Sequence, residues 1–163
     1  GPANGERVAY LNHIGMVTTE IMHCLQHTDQ LYDADLAIQC AILHDSVEDT
    51  NSTYEDIKKL FGQAVSDGVM ALTKNESLPD KRAMMVDSLE RIKGQPHEIW
   101  MVKMADRISN LYSPPFYWND QKIAKYAEEA KLIYDALAPS NELLATRLLT
   151  KIEAYPSFMK SNN

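Results

Sequence analysis

The chain has 163 residues, 45% hydrophobic and 24% charged, enough for one domain with a buried core and too few for two. Its net charge of −7 argues against broad nucleic-acid binding, because phosphate backbones are held by an excess of Lys and Arg. No uncharged apolar run approaches the roughly 18 residues of a membrane span, no secretory signal is visible, and Cys24 and Cys40 lack a CxxC spacing and read as buried thiols of a cytoplasmic protein.

Glycine is scarce and the apolar period is helical nearly everywhere. Ile14, Val17, Ile21 and Leu25 recur at three and four residues and predict a first helix from about Ile14 to Gln26. Asp33 opens a second helix through Ile38, Ala41 and Ile42 into an acidic stretch. Ser52-Thr53-Tyr54-Glu55 reads as a capping box for a helix that stops at Gly62. Val65, Val69 and Leu72 mark a further short helix. Pro79 suits the first turn of a helix running to about Lys93. After Gly94-Gln95-Pro96 a long helix carries Ile99, Val102, Ala105, Ile108 and Leu111, and Pro114-Pro115 ends it. Helices from about Asp120 to Leu137 and from Asn141 to Tyr155 close the chain, with a frayed end from Ser157 to Asn163. No period-two strand pattern, repeat or linker is found. The expected fold is all-α, a single helical-bundle domain over residues 1–163.

The run Leu43-His44-Asp45-Ser46-Val47-Glu48-Asp49 ends an apolar helix face in four ionisable side chains. Glu48 follows His44 by four residues and Asp49 follows Asp45 by four, so each pair stacks on one face of a helix. Three carboxylates beside a histidine repel one another unless something positive sits among them, and imidazole with carboxylate oxygens suits Mn, Fe or Zn. Asp106 interrupts a buried stripe, with Asn110 one turn later. Read alone, Asp106 is a solvated aspartate or one paired with Lys103 or Arg107. His13, at the start of an apolar helix, reads alone as a helix-end or core histidine. Together His13, His44, Asp45 and Asp106 make a four-ligand N/O set for one divalent cation between helices.

These residues carry a resemblance. His13, His44-Asp45 and Asp106 match the H…HD…D signature of the HD superfamily of metal-dependent phosphohydrolases. His44-Asp45-Ser46-Val47-Glu48-Asp49 resembles the HDxxED motif of the RelA/SpoT-type alarmone hydrolases, and Lys103-Met104-Ala105-Asp106-Arg107-Ile108-Ser109-Asn110 resembles their KxADRxxN segment. Leu60-Phe61-Gly62, Val65 and Leu72-Thr73-Lys74 follow the same family's linking region, so the resemblance runs from about Tyr10 to Leu137. Ile14 stands where a proline usually follows the first histidine, which should alter the helix start more than the metal. Only Arg7 precedes Tyr10 where the family carries a helix and an Arg-Lys pair; that arm is truncated, disordered or replaced by Asn4-Gly5-Glu6-Arg7. These 163 residues leave no room for a nucleotide-synthesising or regulatory domain, and a stand-alone small alarmone hydrolase is implied.

The resemblance implies one Mn²⁺ on His13, His44, Asp45 and Asp106, with Glu48 and Asp49 as the acid–base pair. The implied reaction removes the 3′-diphosphate of guanosine tetra- or pentaphosphate as pyrophosphate. Asn110 is expected on the ribose or nucleotide, and Lys103, Arg107 and Lys74 are candidates for the phosphates. Lys81 and Arg82 belong to the same basic patch, which reads more simply as solvated surface. Tyr117 and Tyr126 are candidates for a base pocket. The partner is then a small nucleotide, with no nucleic acid and no membrane, and the oligomeric state stays open. On the same site the alternatives are an adenine alarmone, the 2′-phosphate of NADPH or a deoxynucleoside monophosphate. From another class, the alternative is a catalytically silent nucleotide-binding module.

Overall fold

The structure is a computed structural model and describes residues 4–160. The described residues form nine α-helices and no strand: α1 (Asn4–Gln26), α2 (Ala34–Leu43), α3 (Ser46–Asp49), α4 (Tyr54–Phe61), α5 (Gln63–Leu72), α6 (Lys81–Lys93), α7 (His97–Asn110), α8 (Asp120–Leu137) and α9 (Glu142–Ala154). The fold is therefore all-α, as the periodicity predicts. The side chains of Asn4-Gly5-Glu6-Arg7 and the last three residues, 161–163, lie outside the described residues.

Helix α7 is the centre. Ile99, Met101, Val102, Met104 and Ala105 are fully buried, and Glu98, Lys103, Arg107 and Ser109 are buried beside them, so the helix is enclosed by others nearly all round. It packs against α1, α2, α5, α6, α8 and α9. Charged side chains on this helix are thus either satisfied inside the protein or point into a cavity.

Several boundaries differ from expectation for identifiable reasons. Helix α1 starts at Asn4, not Ile14, so His13 lies within the helix. With Ile14 in place of a proline, nothing removes a backbone donor there. The capping box is shifted by one residue: Thr53 accepts from the Asp56 N–H, and Asp56 accepts from the Thr53 N–H. Asp80 caps α6, leaving Pro79 just outside it. Past α9 the chain is tied down: Tyr155–Phe158 form a 3₁₀ turn, and the Lys160 N–H donates to Asp120 at 2.8 Å. Gly62 ends α4 at φ 90°, in the left-handed region where a Cβ is strained, which explains the stop.

Gly68 has a different role. A Cβ there would lie 2.5 Å from Ile99 Cδ1 and 3.0 Å from Cys40 Sγ, so α5 approaches α7 and α2 through the missing side chain. Both neighbours are fully buried and have little room to yield. Gly68→Ala gains up to about 1 kcal/mol of helix propensity and costs about 1–3 kcal/mol of overpacking. The expected result is a lower urea midpoint with an unchanged m-value; a raised midpoint would show that Ile99 repacks without strain.

Candidate metal centre and active site

The acidic stretch does not continue α2 as one helix. The Ser46 hydroxyl donates to the Leu43 carbonyl at 2.7 Å, and the chain turns through His44 and Asp45 before α3 begins. The turn divides the motif in two. His44 is 3% exposed and faces inward, while Glu48 and Asp49 stand on the next short helix.

Helices α1 and α7 and the turn between α2 and α3 bring four side chains together. His13 Nε2 lies 3.1 Å from Asp106 Oδ1 and 3.7 Å from Asp45 Oδ2. His44 Nε2 lies 3.1 Å from Asp45 Oδ2 and 3.6 Å from Asp106 Oδ1. The two imidazole Nε2 atoms are 3.2 Å apart. First-row divalent ions with bonds of about 2.0–2.2 Å place neighbouring donor atoms roughly 3–3.6 Å apart. The separations here fall close to that range.

The hydrogen bonds on the far sides of the rings support the same reading. His44 Nδ1–H donates to the Ala41 carbonyl at 2.7 Å, which leaves the Nε2 lone pair aimed at the cluster. His13 Nδ1 meets Ser109 Oγ at 3.1 Å. With both Nδ1 atoms protonated, two lone pairs face each other across 3.2 Å, an arrangement that calls for a cation between them. The two carboxylates draw positive charge to this point, which a proton or a metal ion can supply. Burial opposes charge on His44, yet hydrogen bonds and attraction from Asp106 and Asp45 push its imidazole up to about 10. Burial also opposes charge on Asp106, but His13, His44 and Lys103 hold its carboxyl well below the usual carboxylate range. The donors present fit a divalent metal; His13, His44 and Asp45 alone already form a group able to hold one.

A cavity of about 770 Å³ opens beside this cluster. Glu48, Asp49, Lys74, Lys103, Arg107 and Asn110 all line it. Glu48 is held at both oxygens: Oε1 accepts from the Lys74 N–H at 2.7 Å, and Oε2 lies 3.2 Å from Lys74 Nζ. Lys74 follows α5, whose last carbonyls are gathered by Arg91 of α6, at 2.6 Å from Met70 O and 2.8 Å from Thr73 O. Partial burial, then the Asp45 and Glu48 charges, raise the Asp49 carboxyl above its ordinary value.

On α7, Lys103 is buried, with Nζ 3.6 Å from Asp106 Oδ2, and burial lowers its ammonium pKa. The Arg107 guanidinium stacks 4.2 Å from the centre of the Tyr126 ring, and its Nε and Nη1 have no hydrogen-bond partner among the described residues. Asn110 Nδ2 donates to Asp106 Oδ1 at 3.0 Å, so its amide is engaged by the carboxylate. Of the weaker candidates, Lys81 and Tyr126 line the cavity. Arg82 and Tyr117 do not: Arg82 is exposed, and Tyr117 lies on a surface groove with Phe116.

Met84, Met85, Ser88 and Glu129 also line the cavity and carry no motif signal, and Tyr10, which opens the segment leading to His13, lines it too. Ser109 was legible only by register, three residues after Asp106 and hence on its face of the helix.

Residues 3–142 match the family described as HD domain. The chain is 32% identical over 148 residues to the guanosine-3′,5′-bis(diphosphate) 3′-pyrophosphohydrolase MESH1 of Danio rerio, covering 88% of this chain and 78% of that one. It is 30% identical over 149 residues to the Drosophila melanogaster protein of that name, covering 88% and 79%. A GTP pyrophosphokinase rsh of Brucella suis is 33% identical over 116 residues, 68% of this chain but 15% of that much longer one. Among solved structures, a metazoan ortholog of SpoT described as hydrolysing ppGpp superposes with a TM-score of 0.75 at 29% identity, covering 88% of this chain and 80% of that one. A Listeria monocytogenes protein at 19% identity, with a TM-score of 0.67 over 89% and 94% of the two chains, shares the fold. A family match across most of the helical bundle, together with relatives of similar extent, shows that the chain belongs to the HD-domain family.

Proposed function

We propose that this chain, acting as a single HD domain, hydrolyses the 3′-diphosphate of guanosine tetra- and pentaphosphate, yielding pyrophosphate with GDP or GTP. The observation that carries the reading is the convergence of two imidazoles and two carboxylates on one point, beside two further carboxylates and a cation-lined cavity. The names of the relatives support the substrate. His13, His44, Asp45 and Asp106 are the proposed ligands of one divalent metal, for which we propose Mn²⁺. Such an ion supplies Lewis acidity toward a phosphoryl oxygen and lowers the pKa of water.

The chain's own groups account for the rest. Glu48 and Asp49 form the acid–base pair. Glu48 is anchored at both oxygens by Lys74 and keeps its aim at the cavity. Asp49, with its raised carboxyl, holds a proton more readily than an ordinary aspartate. Water adds to the phosphorus esterified to the 3′ oxygen, the bond between that oxygen and phosphorus breaks, and the oxygen leaves with a proton. Lys74, Lys103 and Arg107 bring positive charge to the cavity wall of an acidic protein and receive the phosphates. Asn110, next to Asp106, approaches the ribose.

Among the described residues no helix is long and apolar enough to cross a membrane. The buried, unpaired thiols of Cys24 and Cys40 support a cytoplasmic location.

Product analysis tests the reading. With Mn²⁺ and guanosine tetraphosphate, ³¹P NMR is expected to show intact pyrophosphate and GDP with its 5′ chain whole. Orthophosphate as the product, with preference for NADPH or a deoxynucleoside monophosphate, would replace the proposed substrate.

A further inference from the structure

We infer that Ser109 is a positioning residue that fixes the orientation and tautomer of His13. The inference rests on the metal centre proposed above.

Ser109 sits in the last turn of α7, 96 residues from His13, and is 7% exposed. Its Oγ lies 3.1 Å from His13 Nδ1. Hydroxyl side chains within a helix commonly turn back to the carbonyl four residues earlier. Thr18, Thr73 and Thr150 of this chain do so. Ser109 turns across the helix interface to the imidazole, and among the described residues that is the one hydrogen bond of its side chain.

The direction of the bond follows from the other side of the ring. His13 Nε2 faces Asp106 Oδ1, Asp45 Oδ2 and His44 Nε2, and binds a cation only through its lone pair. The proton therefore belongs on Nδ1, and Ser109 Oγ accepts it. The two histidines are held differently. His44 is braced by the backbone carbonyl of Ala41, which no substitution removes. His13 is braced by a side chain, so one substitution separates the brace from the ligand. Without it the ring is free to turn about its two side-chain torsions and to carry its proton on either nitrogen.

The same turn of α7 braces a second group, because Asn110 Nδ2 donates to Asp106 Oδ1. Two adjacent residues thus orient side chains on two helices.

The test is titration of the metal-stripped parent, Ser109→Ala and Ser109→Cys with MnCl₂ by calorimetry, beside the thermal midpoint of each metal-free protein. Ser109→Ala is expected to weaken Mn²⁺ binding by about 10–100-fold, the scale for loss of an outer partner of a metal-bound histidine. Its metal-free midpoint should stay near the parent's, and turnover should recover toward the parent at saturating Mn²⁺. Ser109→Cys matches serine in size but accepts hydrogen bonds poorly, so it should follow Ser109→Ala. Parent-like affinity in Ser109→Ala overturns the inference. Parent-like affinity in Ser109→Cys alone assigns the effect to packing and overturns it as well. A parent that binds no Mn²⁺ fails at an earlier step, that of the metal centre itself.

Discussion

His44→Ala and Asp106→Ala are each expected to purify without bound divalent metal and to hydrolyse no guanosine tetraphosphate. His44 Nε2 is within 3.1 Å of Asp45 and 3.6 Å of Asp106. Its removal takes one nitrogen donor from the centre and leaves His13 alone beside Asp45 and Asp106. On the proposed ligand set, the loss of affinity should exceed the about 10–100-fold that follows removal of an outer partner. Asp106→Ala does more. It also strips buried Lys103 of its counter-charge, and an orphaned buried charge costs about 3–5 kcal/mol. The Asp106 variant should therefore unfold at a lower urea concentration than the His44 variant. Elemental analysis of the purified proteins decides the metal question. Full occupancy in either variant would end the four-ligand assignment.

Glu48→Gln should behave in the opposite way, keeping the metal and losing turnover. Glu48 is not among the four converging side chains, and both its oxygens are occupied by Lys74. Glutamine keeps the shape and one carbonyl acceptor for the Lys74 N–H, so the loop after α5 should hold its place. What it loses is the ability to take or give a proton, worth about 10²–10⁴-fold in rate. Single-turnover kinetics at saturating Mn²⁺ measure this directly. A parent rate in Glu48→Gln would remove the residue from the chemistry, and metal loss in that variant would move it to the ligand shell.

The sequence is most legible where one physical signal dominates. Helix α8 is readable to its ends because Asn119 caps it and an apolar stripe runs through Ile123, Ala127, Ala130, Ile133 and Leu137. Helix α1 is readable only from Ile14 onward, where Val17, Ile21 and Cys24 are buried. Its earlier turns carry no apolar stripe, so periodicity cannot place its start at Asn4. The break between α2 and α3 is invisible to periodicity, since a serine hydroxyl on the Leu43 carbonyl makes it. The capping box is off by one because Ser52 and Thr53 are chemically equivalent candidates, and only backbone geometry chooses Thr53.

The site divides in the same way. His13, His44, Asp45 and Asp106 stand out as residue types with metal chemistry at family spacing. Met84 and Met85 look like core residues until the fold turns them toward a cavity. Asn110, read from sequence as a contact to the nucleotide, is found engaged with Asp106, an i,i+4 partner equally available to a pattern reading.

The site joins segments that are distant along the chain. His13 meets His44 across 31 residues and Ser109 across 96. An ion held by His13, His44, Asp45 and Asp106, as proposed, would act as a noncovalent cross-link closing two large loops. Occupancy and folding would then become one equilibrium: a ligand that binds the native state alone adds about 2.7 kcal/mol at a hundred times its dissociation constant. A chelator would loosen α1 from α7 before it disturbed the packing of α8 on α9, where none of the four residues lies.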